Sequence, residues 1–88
     1  MAKYRTKSKE VEAVKFTRDN FEEVKEFTNG KAMNFYIPHN IEGQANCELE
    51  CKNKVFRVLE NRYIVKDSDG NFYICSEDSF ESLYEEVK

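Results

Sequence analysis

The sequence predicts an α+β domain: a small, mostly antiparallel β-sheet of about five strands in the order β-α-β-β-β-β-α, with two helices packed on one face. Three observations carry that expectation. Over most of the chain, short apolar stretches alternate with polar residues at the two-residue period of strands. Two segments place apolar residues at helical spacing instead, and Asn, Asp, Gly and Pro punctuate the boundaries. At 88 residues the chain suffices for one domain, residues 1–88, with one small core. Seven Phe and five Tyr point to a core built of aromatic rings.

Residues 11–16 read as the first strand, with Val11, Ala13, Val14 and Phe16 around Glu12 and Lys15. The alternation slips once at Ala13-Val14, which suggests a bulge. Asp19 then precedes Phe21, Val24 and Phe27 on one helical face. Glu22 stands three residues after it, as in a capping box, and Asn29-Gly30 can end the helix. Met33, Phe35 and Ile37 alternate with Asn34 and Tyr36 until Pro38 stops the second strand. Residues 39–46 hold Gly43 and mostly polar side chains, so they form the longest loop, with Ile41 as its large apolar residue.

Cys47, Leu49 and Cys51 alternate with Glu48, Glu50 and Lys52, and another strand runs through Val55, Phe56, Val58 and Leu59. A hairpin turning at Asn53-Lys54 joins the two, because Asn tolerates positive φ. A second hairpin leads from Tyr63-Ile64-Val65 through Asp69-Gly70 to Asn71-Phe72-Tyr73-Ile74-Cys75. Ser76 caps the last helix, with Glu77 and Asp78 at its electropositive end and an apolar stripe of Phe80, Leu83, Tyr84 and Val87.

A net charge of −3 and a pI near 5.2 provide no basis for general affinity to nucleic acid or anionic membranes. Direct nucleic-acid binding is therefore not expected, although Tyr4-Arg5-Thr6-Lys7 and Phe72-Tyr73 have the aromatic and basic character that stacks bases. Lys3, Arg5, Lys7 and Lys9 make the start basic, while Glu77, Asp78, Glu81, Glu85 and Glu86 make the end acidic. Both read as solvated faces that lie near each other in the fold. Three cysteines without a secretory apolar segment point to reduced thiols in a cytoplasm and to no disulfides. No apolar run approaches the roughly 20 residues of a membrane span.

Cys47, Cys51, Cys75 and His39 make up the donor types of a Cys₃His zinc site. On a strand, however, Cys47 and Cys51 stand about 13 Å apart, so all three cysteines read as small core residues. The run from Asp67 to Asn71 fails the calcium-loop register, with Gly70 fourth and Asp78 twelfth, and reads as a turn. His39 has no fixed partner, the pairs Glu22-Glu23, Glu77-Asp78 and Glu85-Glu86 fall on exposed helix faces, and Gly30, Gly43 and Gly70 are scattered. The expectation is a non-enzymatic protein without catalytic residues, cofactor or metal. Its interaction surface would be the acidic last helix, Glu77, Asp78, Glu81, Glu85 and Glu86, with His39 and Asn40 of the loop. A small-ligand or nucleotide-sequestering protein is the alternative, with an aromatic pocket using Tyr36, Tyr63 or Tyr73.

Asn61-Arg62-Tyr63-Ile64-Val65-Lys66, Gly70-Asn71-Phe72-Tyr73-Ile74-Cys75, Asp78-Ser79-Phe80-Glu81 and Tyr84-Glu85 carry a resemblance. They resemble the ending G-D-Y-I-I-K-G, G-E-F-Y-P-C, P-D-I-F-E and Y-E of a family of short uncharacterised phage and prophage proteins of bacteria. Val11-Glu12-Ala13-Val14-Lys15-Phe16 is similar to the family's V-E-A-V-Q-F-like opening, and residues 49–58 fit its preceding strand pair. The chain departs from the pattern at Asn61-Arg62 for Gly-Asp, Ile74 for Pro, Ser76-Glu77 for Lys-Pro, and Asn53-Lys54 for a Gly-containing turn. All four lie at turns or strand ends. The resemblance implies a phage origin and brings no catalytic residue or cofactor with it. By analogy of context it implies a protein that binds and blocks a host macromolecule, a host protein such as a defence component or CRISPR effector. Exposed sheet edges leave a homodimer open.

Overall fold

The computed structural model describes residues 2–5, 10–39 and 42–86. Among them the order is β1 (Ala2–Arg5), β2 (Glu10–Lys15), α1 (Phe21–Phe27), β3 (Ala32–Tyr36), β4 (Asn46–Cys51), β5 (Lys54–Leu59), β6 (Tyr63–Lys66), β7 (Phe72–Cys75), α2 (Glu77–Leu83) and β8 (Glu85–Glu86). The class is the expected α+β with antiparallel pairing, but the strands are eight and form two sheets: β7-β6-β2-β1-β8 and β3-β4-β5. Part of the excess is β1, in which Arg5 stands opposite Glu10 on one side and Glu85 on the other. The basic start and the acidic end thus run side by side. Thr6, Lys7, Lys9, Asn40, Ile41 and Val87 lie outside the described residues.

Strands β2 and β6 explain the layering. Their register is continuous, with Ala13 opposite Val65 and Val14 opposite Ile64. Successive strand side chains point to opposite faces. Val14, Phe16 and Ile64 accordingly enter a core shared with Val24, Phe27, Leu49 and Val58. Val11, Ala13, Tyr63 and Val65 enter a second core with Phe80. The slip in alternation at Ala13-Val14 is therefore not a bulge but the mark of a strand buried on both faces. The same pattern corrects the helix placement, because α1 and the small sheet cover one face of the large sheet while α2 covers the other. A register shift does occur in β3, between Met33 and Tyr36, where Asn34 has φ +56° and its Nδ2 donates to Glu48 Oε1 at 2.6 Å.

Both cores are aromatic, as the composition suggested. Phe21 stacks between Phe16 and Phe35, with ring centroids 5.6 and 4.7 Å away. Phe80 lies between Tyr63 at 3.9 Å and Tyr84 at 4.6 Å.

Local chemistry sets the element ends. The N-cap of α1 is Asn20, not Asp19, and it forms no side-chain cap bond to the helix. Instead, Asn20 Oδ1 accepts from the Thr17 N–H and Nδ2 donates to the Lys15 carbonyl, which fastens the helix entry to β2. At the other end the expected stop holds: Asn29 and Gly30 take φ +56° and +81°, and the Gly30 N–H donates to the Lys25 carbonyl. The β4–β5 turn falls at Lys52-Asn53, one residue before the expected position, because Lys54 already pairs with Cys51. Both turn residues have positive φ, as a type I′ hairpin turn requires. In the β6–β7 turn, Asp67 Oδ1 accepts the N–H groups of Asp69 and Asn71, each at 2.9 Å, so its carboxylate serves the backbone. Ser76 caps α2 as expected, its Oγ accepting from the Ser79 N–H. The helix stops at Leu83, and Glu85 and Glu86 leave it to pair with β1. Of the expected stripe, Phe80 is buried and Leu83 is 63% exposed. No helix of the described residues is long and apolar enough to cross a membrane.

Candidate functional site

The most distinctive surface follows from register. In β4, Cys47, Leu49 and Cys51 share one face, and their partners in β5 are Val58, Phe56 and Lys54. Cys47, Leu49 and Val58 are fully buried in the core between the sheets, yet Phe56, on the same face, is 44% exposed. The cause is topological. β5 ends one sheet and β7 ends the other, and among the described residues no further strand pairs with either. The space between these edges opens as a groove of about 420 Å³. Cys51, Phe56, Phe72 and Ile74 make its apolar lining, Lys52 and Lys54 its basic rim, and Tyr73 flanks it.

Although the chain is acidic overall, this surface is basic. The Nζ atoms of Lys31 and Lys66 lie 5.8 and 5.9 Å from the centre of the Phe72 ring, within cation–π reach. Lys52 and Lys54 make no ion pair among the described residues. Burial pushes the Cys51 thiol up, and the neighbouring Lys31 and Lys52 oppose that shift without overcoming it. The Tyr73 hydroxyl meets that of Tyr84 at 2.8 Å, and burial, followed by this hydrogen bond, raises its pKa.

The surface expected from sequence is divided. Glu77, Asp78 and Glu81 lie on α2, whereas Glu85 and Glu86 belong to β8. Glu77 forms an ion pair with Lys15, which raises the pKa of the lysine chiefly through that hydrogen bond. Glu81 Oε2 accepts from the Tyr63 hydroxyl at 3.4 Å. Glu77 and Asp78 line a shallow polar pocket of about 230 Å³ with Gln44, Glu60, Asn61 and Arg62. His39 is exposed beyond the end of β3 and does not join that pocket.

Cys47, Cys51 and Cys75 are free thiols. Burial pushes Cys47 up to about 11 and raises Cys75 as well as Cys51, whereas a nucleophilic thiol needs a lowered pKa. Among the described residues no three His, Cys, Asp or Glu side chains converge as metal ligands. Tyr63 is buried beneath Phe80 and Tyr36 is exposed on β3, so of the three tyrosines singled out from sequence only Tyr73 borders the groove. Phe56, Lys52 and Lys54 escaped sequence reasoning as site residues. Their signal emerges only when Leu49 and Phe56 are known to be opposite one another.

No family model, curated protein or solved structure matches the chain.

Proposed function

We propose that this chain is a non-enzymatic binding protein of the phage type, which acts in the host cytoplasm by occupying the surface of a host protein, such as a defence component. The observation that supports this most is Phe56, half open between two strand edges that are unpaired among the described residues. Unpaired edges and exposed apolar surface are liabilities that a partner can relieve. Phe56 is 44% exposed, so covering what remains of its ring contributes about 1 kcal/mol, before the cost of association is deducted. The acidic residues Glu77, Asp78 and Glu81 of α2, with Glu85 of β8, are the second candidate surface, although Glu77 is paired with Lys15 and Glu81 accepts from Tyr63.

The test is affinity capture from nuclease-treated bacterial lysate with three baits: the wild type, Phe56→Asp, and a charge reversal at Glu81 and Glu85. A stoichiometric protein lost with Phe56→Asp and kept with the reversal supports binding through the groove. Turnover of a substrate by the purified chain, or the absence of any stoichiometric partner, overturns the proposal. A small-ligand sequestering role draws on the same groove, whose volume falls within the roughly 300–1,000 Å³ of ligand pockets. Thermal stabilisation by nucleotides, abolished in Phe56→Asp, would favour that second reading.

A further inference from the structure

The free edge of β5 has a readable charge pattern. Residues 54–57 are Lys-Val-Phe-Arg, and all four are exposed. Lys54 and Phe56 face the groove, Val55 and Arg57 face the other way, and a strand added beside them would meet each in turn. Directly opposed side chains favour apolar with apolar and acid with base. Resting on the binding function proposed above, we infer that the groove takes an extended segment of a partner protein carrying the tetrad acidic–apolar–apolar–acidic, paired as a strand with β5. Because the β5 tetrad has a cation at each end, the pattern reads the same in either strand direction. Lys52 reinforces one end. At the other, Glu48 stands opposite Arg57 within β4 and accepts from Asn34 through Oε1, but among the described residues it forms no ion pair with Arg57. The remaining nearby acid on β4, Glu50, stands opposite Val55.

Two facts favour a protein strand over other occupants. A strand edge offers backbone donors and acceptors that a nucleic acid cannot pair along its length, and Phe72 already carries Lys31 and Lys66 at its ring. A second copy is disfavoured because nowhere in this chain do two acids flank two adjacent apolar residues. The competing account of Lys54 and Arg57 is that they only discourage edge pairing.

The experiment measures binding of the full chain to labelled synthetic octapeptide libraries with Glu-apolar-apolar-Glu at their centre, to the matching Lys-apolar-apolar-Lys libraries, and to an oligothymidylate. The acidic libraries should bind at least about tenfold more tightly than the basic ones. Lys54→Glu with Arg57→Glu should reverse that preference, and amide shifts should centre on residues 52–57 and 72–74. If the reversal perturbs the fold, the pair Lys54→Gln with Arg57→Gln should abolish the preference instead. Equal binding of both libraries, binding of the oligothymidylate alone, self-association through β5, or a preference untouched by the substitutions overturns the inference. Should a lysate partner be lost with Phe56→Asp while neither library binds, the binding function stands and the tetrad falls.

Discussion

The guanidinium of Arg18 grips both carboxylate oxygens of Glu60, with Nε to Oε2 at 2.9 Å and Nη2 to Oε1 at 2.8 Å. Arg18 follows β2 of the large sheet and Glu60 follows β5 of the small one, so the fork ties the two layers together. It also fixes the end of the long loop, because Arg18 Nη2 donates to the Gly43 carbonyl and the Ala45 N–H donates to Glu60 Oε1.

The Arg18 hydrogen bond first, and the Ala45 amide next, hold the Glu60 carboxyl down at about 2, from an ordinary value of 4.5. A folded value below the unfolded one gives stability that is fully present above the unfolded pKa and is lost as pH falls through the folded one. Urea denaturation of wild type and Glu60→Gln across a pH series should show the wild type more stable by a constant margin down to about pH 4.5. That margin should shrink towards pH 2. A margin that stays constant throughout would remove the fork from the account of acid sensitivity.

Phe80 is 1% exposed and stacked between two tyrosines, so Phe80→Ala should cost about 3–5 kcal/mol. Leu83→Ala, on the same helix, should stay within about 0.5 kcal/mol. Comparable losses for the two variants would show that the chain does not leave the helix at Leu83.

Thr28 is fully buried, and its Oγ1 donates to the Val24 carbonyl at 2.9 Å while accepting from the Ala32 N–H at 3.0 Å. Thr28→Val keeps the shape and orphans that amide, at a cost of about 1–3 kcal/mol. Thr28→Ser keeps the oxygen and loses one methyl group, at about 1 kcal/mol. Urea midpoints at unchanged slope measure both. Serine proving the worse replacement would assign the residue to packing.

Native-state alkylation followed by mass spectrometry should modify Cys51 and Cys75 slowly and leave Cys47 untouched until the chain unfolds. The first two are partly exposed with raised pKa values, and Cys47 is fully buried at about 11. Rapid modification of Cys47 would contradict its place between the sheets.

What the sequence makes legible is what depends on near neighbours. The Ser76 cap, the Asn29-Gly30 stop and the turn around Asp69-Gly70 all arise from side chains acting within a few residues of themselves. Where the outcome depends on distant partners, sequence reading goes astray. Ala13 and Val14 look like a bulge until α2 and the small sheet are known to cover opposite faces of β2. Lys52 adopts positive φ because Cys51 pairs with Lys54, a matter of register that composition does not encode. The acidic ending reads as one helical face, but pairing with β1 draws Glu85 and Glu86 away from it. The groove is the extreme case, since the exposure of Phe56 depends on which strands occupy the sheet edges.

A sheet buried on both faces also dictates how the domain comes apart. Ala13 and Val14 are bonded neighbours with side chains in different cores, and both cores need β2 paired with β6, strands from opposite halves of the chain. Separating that pair withdraws Val14 and Ile64 from one interior and Ala13 and Val65 from the other at the same moment, which couples the two cores. A single unfolding transition is the expected outcome, with the amides of β2 and β6 among the slowest to exchange with solvent.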